Sequence, residues 1–141
     1  MLFRSLQDAA SKLPGNVAVF FDYNEPFAHQ IYAGSDAYMM PSRFEPCGLS
    51  QMISMAYASI PIVNRTGGLS DTVTYYNHFT REGNGFMFNI TYGENFVQTI
   101  LKSERIFKDK YNWSVLMQNA MNCDFSWKKS VERYRQMYED T

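Results

Sequence analysis

The sequence predicts an α/β fold: a Rossmann-like parallel sheet with flanking helices, followed by a helical C-terminal tail. Three observations predict it. Short apolar runs at 16–21, 37–40, 60–64 and 86–88 alternate with stretches of helical period. Strands that alternate with helices pair in parallel through crossover connections. After residue 88 the strand pattern stops, and three helical stretches complete the chain.

The elements follow in order. The opening MLFRSLQDAASKLPG puts Leu2, Leu6, Ala9 and Leu13 on one helical face. It carries an Arg and an Asp and has no apolar centre, so it is a poor signal peptide. Asn16 to Phe21, after Pro14-Gly15, reads as a buried strand. Glu25 to Gly34 reads as a short helix ended by glycine. Ala37 to Met40 is a strand stopped by Pro41. Gly48 to Ser59 is a helix with Leu49, Met52, Ile53 and Ala56 on its apolar face. Ile60 to Asn64 is a strand that tolerates Pro61 near its start. Gly67-Gly68 breaks the chain ahead of a short helix, and Asn84-Gly85 turns into the strand Phe86 to Phe88. Three amphipathic helices follow. Phe96, Val97, Ile100, Leu101 and Phe107 line the first, and Val115 to Met121 forms the second. Trp127, Val131, Tyr134 and Tyr138 line the third.

With 141 residues, 45% of them hydrophobic and 16% aromatic, the chain is globular and suffices for one domain with its own core. Thirteen basic residues against 14 acidic ones leave a net charge of −1. That balance argues against a nucleic-acid partner held by bulk charge. No apolar run approaches a membrane span. Cys47 and Cys123 form no C-x-x-C pair, and the two histidines are not clustered, so no metal is expected. A reducing compartment fits. His29 and His78 read as local hydrogen-bonding residues, the nine methionines as core filling, and the charges from Lys128 to Arg135 as a solvated face.

In an open parallel sheet, ligands bind beyond the carboxyl ends of the strands. The 37–40 strand runs into Pro41-Ser-Arg-Phe-Glu45, which places Glu45 there. The N–H groups of Gly48, Leu49 and Ser50 then open the next helix and can receive an anion. The 60–64 strand delivers a second loop, Arg65-Thr66-Gly67-Gly68, also expected to offer N–H donors. A phosphorylated ligand with hydroxyls nearby, such as a sugar nucleotide, suits that pair. Read one by one, these residues keep plainer alternatives. Glu45 can be a surface acid, Cys47 and Tyr23 packing residues, and Gly67-Gly68 an ordinary turn.

The stretches PSRFEPCGLSQ (41–51) and YASIPIVNRTGGLSDTV (57–73) resemble the signature of bacterial glycogen synthases and plant starch synthases. Tyr23-Asn-Glu-Pro-Phe-Ala-His29, Ile31 to Asp36 and Asp124-Phe-Ser-Trp127 extend the resemblance over nearly the whole chain. It implies a retaining GT-B glycosyltransferase that elongates α-1,4-glucan from ADP-glucose without a metal. Glu45 matches the glutamate that holds the donor glucose hydroxyls, and Cys47 the active-site cysteine beside it. Gly48, Leu49 and Ser50 match the segment that binds the distal phosphate. Tyr23 matches the tyrosine that stacks on adenine, and Thr66, Gly67 and Gly68 match a segment lining the donor site. Ser50 stands for a frequent Thr, Ala58 for a frequent Gly, and Asn64 for a frequent basic residue. Ile53 stands where many other GT-B enzymes have a ribose-holding Glu, an absence shared with the glycogen and starch synthase branch.

The K-x-G-G-L motif, the catalytic-site histidine and the Arg and Lys phosphate clamp of that family are not in this sequence. Residues 1–141 are therefore expected to form a C-terminal donor-binding domain truncated at its N-terminal side, inactive alone. The glucan acceptor would be held by an absent N-terminal domain. The location would be cytoplasmic, or the plastid stroma in a plant. The last helix, without its partner domain, predicts exposed apolar surface, with dimerisation or fraying near Tyr134 and Tyr138. Two other readings stay open: a non-catalytic binding or regulatory module, and a GT-B enzyme that uses UDP-glucose.

Overall fold

The structure is a computed structural model that describes residues 2–90 and 96–140. Among the described residues, ten elements succeed one another in the order α1 (Leu2–Lys12), α2 (Glu25–Gly34), β1 (Ala37–Met40), α3 (Ser50–Ala56), β2 (Ile60–Asn64), α4 (Gly67–Thr72), β3 (Phe86–Phe88), α5 (Phe96–Lys108), α6 (Lys110–Met121) and α7 (Trp127–Glu139). The described sheet is parallel in the order β1-β2-β3.

The central strand β2 is buried along its whole length. Helices α3, α4, α5 and α6 all pack against it. Strands covered on both faces read as continuous apolar runs, and Ile60, Ile62 and Val63 fit that rule. Pro61 sits in this central strand without losing a ladder bond. The N–H of Ile60 bonds to Asp36 on the β1 side, so alternation turns position 61 toward β3. The β3 register starts only opposite Ile62. Phe86, Phe88, Leu116 and Met55 complete the core around β2.

Helix boundaries have local causes. Asn24 caps α2 by accepting from the N–H of Phe27 at 2.9 Å, with a proline in the first turn. Asp109 caps α6 through the N–H of Asn112, and that bond, with the Asn112 amide, holds its carboxyl below the usual range. The turn from α3 into β2 passes through Ala58, whose φ is +61°. That left-handed conformation explains why a glycine is frequent at this place in the family the sequence resembles.

Three expectations need correction. Val17 to Phe20 is irregular, joins no strand of the described sheet, and leaves Phe20 57% exposed. Apolar composition specifies a strand but not its neighbour. The buried face of α3 is Gln51, Ser54 and Met55, while Leu49 is 68% exposed. In α5, Thr99 and Ser103 are buried, and Val97 and Leu101 lie exposed.

The expected exposure of the last helix is observed: α7 has no buried residue, and Trp127 and Tyr138 are 81% and 76% exposed. Leu6 and Leu13 at α1 are also uncovered, and the Leu2 side chain lies outside the described residues. No helix among the described residues is long and apolar enough to cross a membrane.

Two outcomes follow from these features. Amides of Ala18, Val19 and Phe20 exchange with solvent at nearly unfolded rates, and those of Ile62 and Val63 exchange only through global opening. Equal protection of Val19 and Ile62 in a hydrogen-exchange series would contradict this. Ala58→Gly raises stability by about 1 kcal/mol in denaturant melts, because it relieves the left-handed strain.

Candidate functional site

Strands β1, β2 and β3 end side by side at Met40, Asn64 and Phe88, since Met40 pairs with Val63 and Asn64 with Phe88. Parallel pairing therefore brings the 41–49 loop and the 65–66 turn to one edge of the sheet. The 41–49 loop contains no helix or strand. Its carbonyl groups are held by three partners instead. The buried Asn64 amide donates to Ser42 O at 2.8 Å, and its Oδ1 accepts from the Ile90 N–H at 3.2 Å. The Gly68 N–H donates to Glu45 O and Pro46 O, each at 3.2 Å. The Gln51 Nε2 donates to Gly48 O at 2.8 Å and lies 3.4 Å from Cys47 O.

The two loops touch backbone to backbone. A Cβ on Gly67 would run into Glu45 O, and one on Gly68 into Cys47 O. The glycine pair is thus a close-packing surface for the neighbouring loop, which a plain turn would not require. This corrects one expectation. The Gly68 N–H is already bonded to the 45–46 carbonyls and is no donor for an anion. Thr66 is the residue before α4, half-buried, and its side chain makes no capping bond.

The other expected donors are placed differently. The N–H groups of Gly48, Leu49 and Ser50 donate to nothing among the described residues. Gly48 has φ +70°, and α3 starts at Ser50, one residue after Leu49. The Ser50 hydroxyl makes no cap bond and donates to the Met40 sulfur at 3.1 Å. Glu45 is half-buried, and its carboxylate has no hydrogen-bond or ion-pair partner among the described residues. Cys47 is an exposed free thiol, so it is not a core packing residue.

Tyr23 lies two residues before α2 and is 89% exposed. It lines a mainly apolar cleft of about 450 Å³ together with Phe20, Phe27, His29, Leu49 and Ile53. Leu49 and Ile53 belong to the loop end and α3, so the cleft adjoins the unpaired N–H groups. At its back, the His29 ring lies 3.1 Å from the Tyr57 hydroxyl, as expected of a locally bonded histidine. Tyr32 also lines the cleft, and burial, reinforced by Tyr38, pushes its hydroxyl up to about 12. No group of three or more His, Cys, Asp or Glu among the described residues is arranged to hold a metal.

Sequence reasoning did not find Gln51 and Thr72, and it read Asn64 only as a departure from a frequent basic residue. The Gln51 and Asn64 amides bond the backbone of the 41–49 loop, and the Thr72 hydroxyl accepts from Gln51 and donates to Gly68 O within α4. A buried polar residue next to a loop is the signal that would have found them.

No family model matches the chain. It is 48% identical over 138 residues to a glycogen synthase of Desulforamulus reducens, covering 98% of this chain and 28% of that protein. It is 48% identical over 130 residues to a glycogen synthase of Geobacillus stearothermophilus, covering 92% of this chain and 27% of that protein. Among solved structures, the catalytic domain of starch synthase IV from Arabidopsis thaliana, bound to ADP and acarbose, matches with a TM-score of 0.82 at 36% identity. That match covers 97% of this chain and 29% of the other. The α/β fold is thus that of a GT-B glycosyltransferase domain, and the chain spans less than a third of the length of these relatives.

The loop contact predicts opposite effects for two glycines. Gly68→Ala lowers stability by about 2–3 kcal/mol, since backbone rather than a mobile side chain must give way. Gly34→Ala, whose added methyl group meets nothing within 4 Å, is neutral or stabilising by up to about 1 kcal/mol. Denaturant melts of the two variants check the contrast.

Proposed function

We propose that this chain, a homologue of part of the glycogen and starch synthases, is a nucleotide-sugar-binding domain. The whole protein would transfer glucose from ADP-glucose to the non-reducing end of an α-1,4-glucan with retention. One observation carries the reading. The 41–49 loop ties its carbonyl groups to Asn64, Gly68 and Gln51, yet the Glu45 carboxylate and the successive N–H groups of Gly48, Leu49 and Ser50 have no partners among the described residues. A group that accepts from sugar hydroxyls and a set of donors for phosphate oxygens are what a nucleotide sugar requires. The ADP bound to the starch synthase IV catalytic domain supports a nucleotide ligand for this fold.

In this reading Glu45 accepts hydrogen bonds from the donor glucose hydroxyls, with Cys47 beside it. The N–H groups of Gly48, Leu49 and Ser50 hold the distal phosphate. The Tyr23 ring stacks on adenine at the mouth of the apolar cleft. Thr66, Gly67 and Gly68 act chiefly by shaping the floor on which the Glu45 loop rests. No metal takes part. The 41–51 stretch offers no second carboxylate as a covalent nucleophile, so a front-face path fits best. The C1–phosphate bond breaks, the acceptor 4-hydroxyl bonds to C1 on the same face, and the leaving phosphate takes its proton. Positioning and stabilisation of charge on phosphate supply the rate.

The glucan side of the reaction falls to the part of such a protein that this chain does not match. The chain alone therefore binds donor but transfers no glucose. The setting is the cytoplasm, or the plastid stroma in a plant.

An amide NMR titration of the chain with ADP-glucose, and with UDP-glucose as control, tests the reading. Binding is expected in the millimolar range, about 4 kcal/mol. Shifts are expected at Gly48, Leu49, Ser50 and Tyr23, larger for ADP-glucose. Tyr23→Ala weakens binding by about tenfold, the loss of one aromatic contact. Absence of shifts with either nucleotide sugar would sink the reading and favour a non-catalytic module. Equal or larger shifts with UDP-glucose would overturn the choice of base.

A further inference from the structure

We propose that Gln51 is a positioning residue: its side-chain amide locks the Glu45 loop and the Gly67-Gly68 start of α4 into one frame, which fixes where the ligand-facing groups stand. The proposal deepens the functional reading above and rests on it for the identity of the ligand.

Gln51 is fully buried in the first turn of α3. Its Nε2 donates to Gly48 O at 2.8 Å and to the Thr72 hydroxyl at 3.0 Å, and lies 3.4 Å from Cys47 O. The Thr72 hydroxyl donates in turn to Gly68 O at 2.9 Å. Gly68 closes the circuit through its N–H, which donates to Glu45 O and Pro46 O. The bonds thus run from Gln51 through Thr72 and Gly68 to the backbone of Glu45, and return from Gln51 to Gly48. Both loops are members of one ring. The direction of each bond is fixed, because the Thr72 hydroxyl has a single proton and gives it to Gly68 O.

Packing alone does not select glutamine here. The Gln51 Oε1 is buried and accepts nothing among the described residues. A buried acceptor without a donor costs stability. Methionine would fill a similar volume without that cost, and would also lose the two bonds by which Gln51 closes the ring. The residue present sacrifices stability and keeps the ring. The groups displaced by loosening the ring are the ones assigned to the ligand: the Glu45 carboxylate on one side of the loop, and the Gly48, Leu49 and Ser50 N–H groups on the other. Small misplacements of such groups weaken binding steeply, because several contacts must form together.

The test compares four variants of the full chain by amide exchange and by ADP-glucose titration. Gln51→Met removes every Gln51 link of the ring. Thr72→Val cuts it at the second link and leaves the Gln51–Gly48 bond intact, so it carries the test if Gln51→Met does not fold. Thr72→Ser keeps the hydroxyl. Ile62→Val is a core change away from the loops. Gln51→Met and Thr72→Val are expected to speed exchange of the Gly68 N–H by about tenfold or more, to shift the Glu45 and Cys47 amides, and to weaken ADP-glucose by about tenfold, the equivalent of one lost hydrogen bond. Thr72→Ser should restore both readouts, and Ile62→Val should move neither. Folded Thr72→Val with unchanged Gly68 exchange and unchanged affinity overturns the proposal. So does an equal effect from Ile62→Val, which would mean that lost stability alone is responsible. A parent chain that binds no ADP-glucose overturns the functional reading, and the exchange of Gly68 then decides the role of Gln51 by itself.

Discussion

The contact on which the site depends is backbone against backbone. The 45–47 segment lies directly on Gly67 and Gly68, close enough that no side chain fits between them. Two neighbouring parallel strands create the opportunity, since their carboxyl ends emerge at the same edge of the sheet. The glycine pair then lets the second loop serve as a floor for the first. Once the Gly68 N–H has bonded to the 45–46 carbonyls, the orientation of the loop is largely decided. Its acceptors are engaged with the protein, and its remaining polar groups are the ones available to a ligand.

The helices at this edge are too short to hold themselves. Helix α3 has seven residues and α4 has six, well below the length at which a helix persists alone in water. Their order comes from packing on β2 and from the buried amides of Gln51 and Asn64. The unpaired N–H groups at Gly48 to Ser50 accordingly owe their value to fixed direction more than to a macrodipole, which seven residues sum only weakly. Preorganised donors cost no rearrangement when an anion arrives. The rigid core beneath β2 and the ligand-facing loop are parts of a single argument about direction.

Element type was legible in the sequence wherever local chemistry decides it. Gly34, Pro41 and Asn84-Gly85 punctuate the chain, and α2, β1, β2 and β3 have the ends those residues dictate. The strand ends, and hence the edge where Glu45 stands, followed from the same reading. What the periodicity missed has one cause. It assumes that a helix buries apolar residues, whereas α3 and α5 bury Gln51, Ser54, Thr99 and Ser103. A polar residue bonded to loop backbone or to its own helix is as comfortable inside as an apolar one. That residues 17–20 pair with no strand of the described sheet was hidden for a different reason, because strand pairing is a long-range property that composition does not encode. The glycine pair at 67–68 was visible as a breaker, but its role as a floor needed the facing carbonyls.

Asn64 shows how a departure from the family pattern acts on this frame. The resemblance to the glycogen and starch synthases implies a basic residue frequently at this place. Asn64 uses both ends of its amide: Nδ2 donates to Ser42 O, and Oδ1 accepts from the Ile90 N–H. A lysine or arginine could supply the first bond but not the second, since neither carries an acceptor. The N–H of Ile90 would then have to find another partner as the chain leaves β3. The amide thus joins the start of the Glu45 loop to the exit of β3 through a residue at the end of β2, so all three strand ends are tied across a single side chain. With asparagine the frame has a neutral link that neither salt nor pH loosens, and positive charge at this edge of the sheet is left to the exposed Arg43 and Arg65.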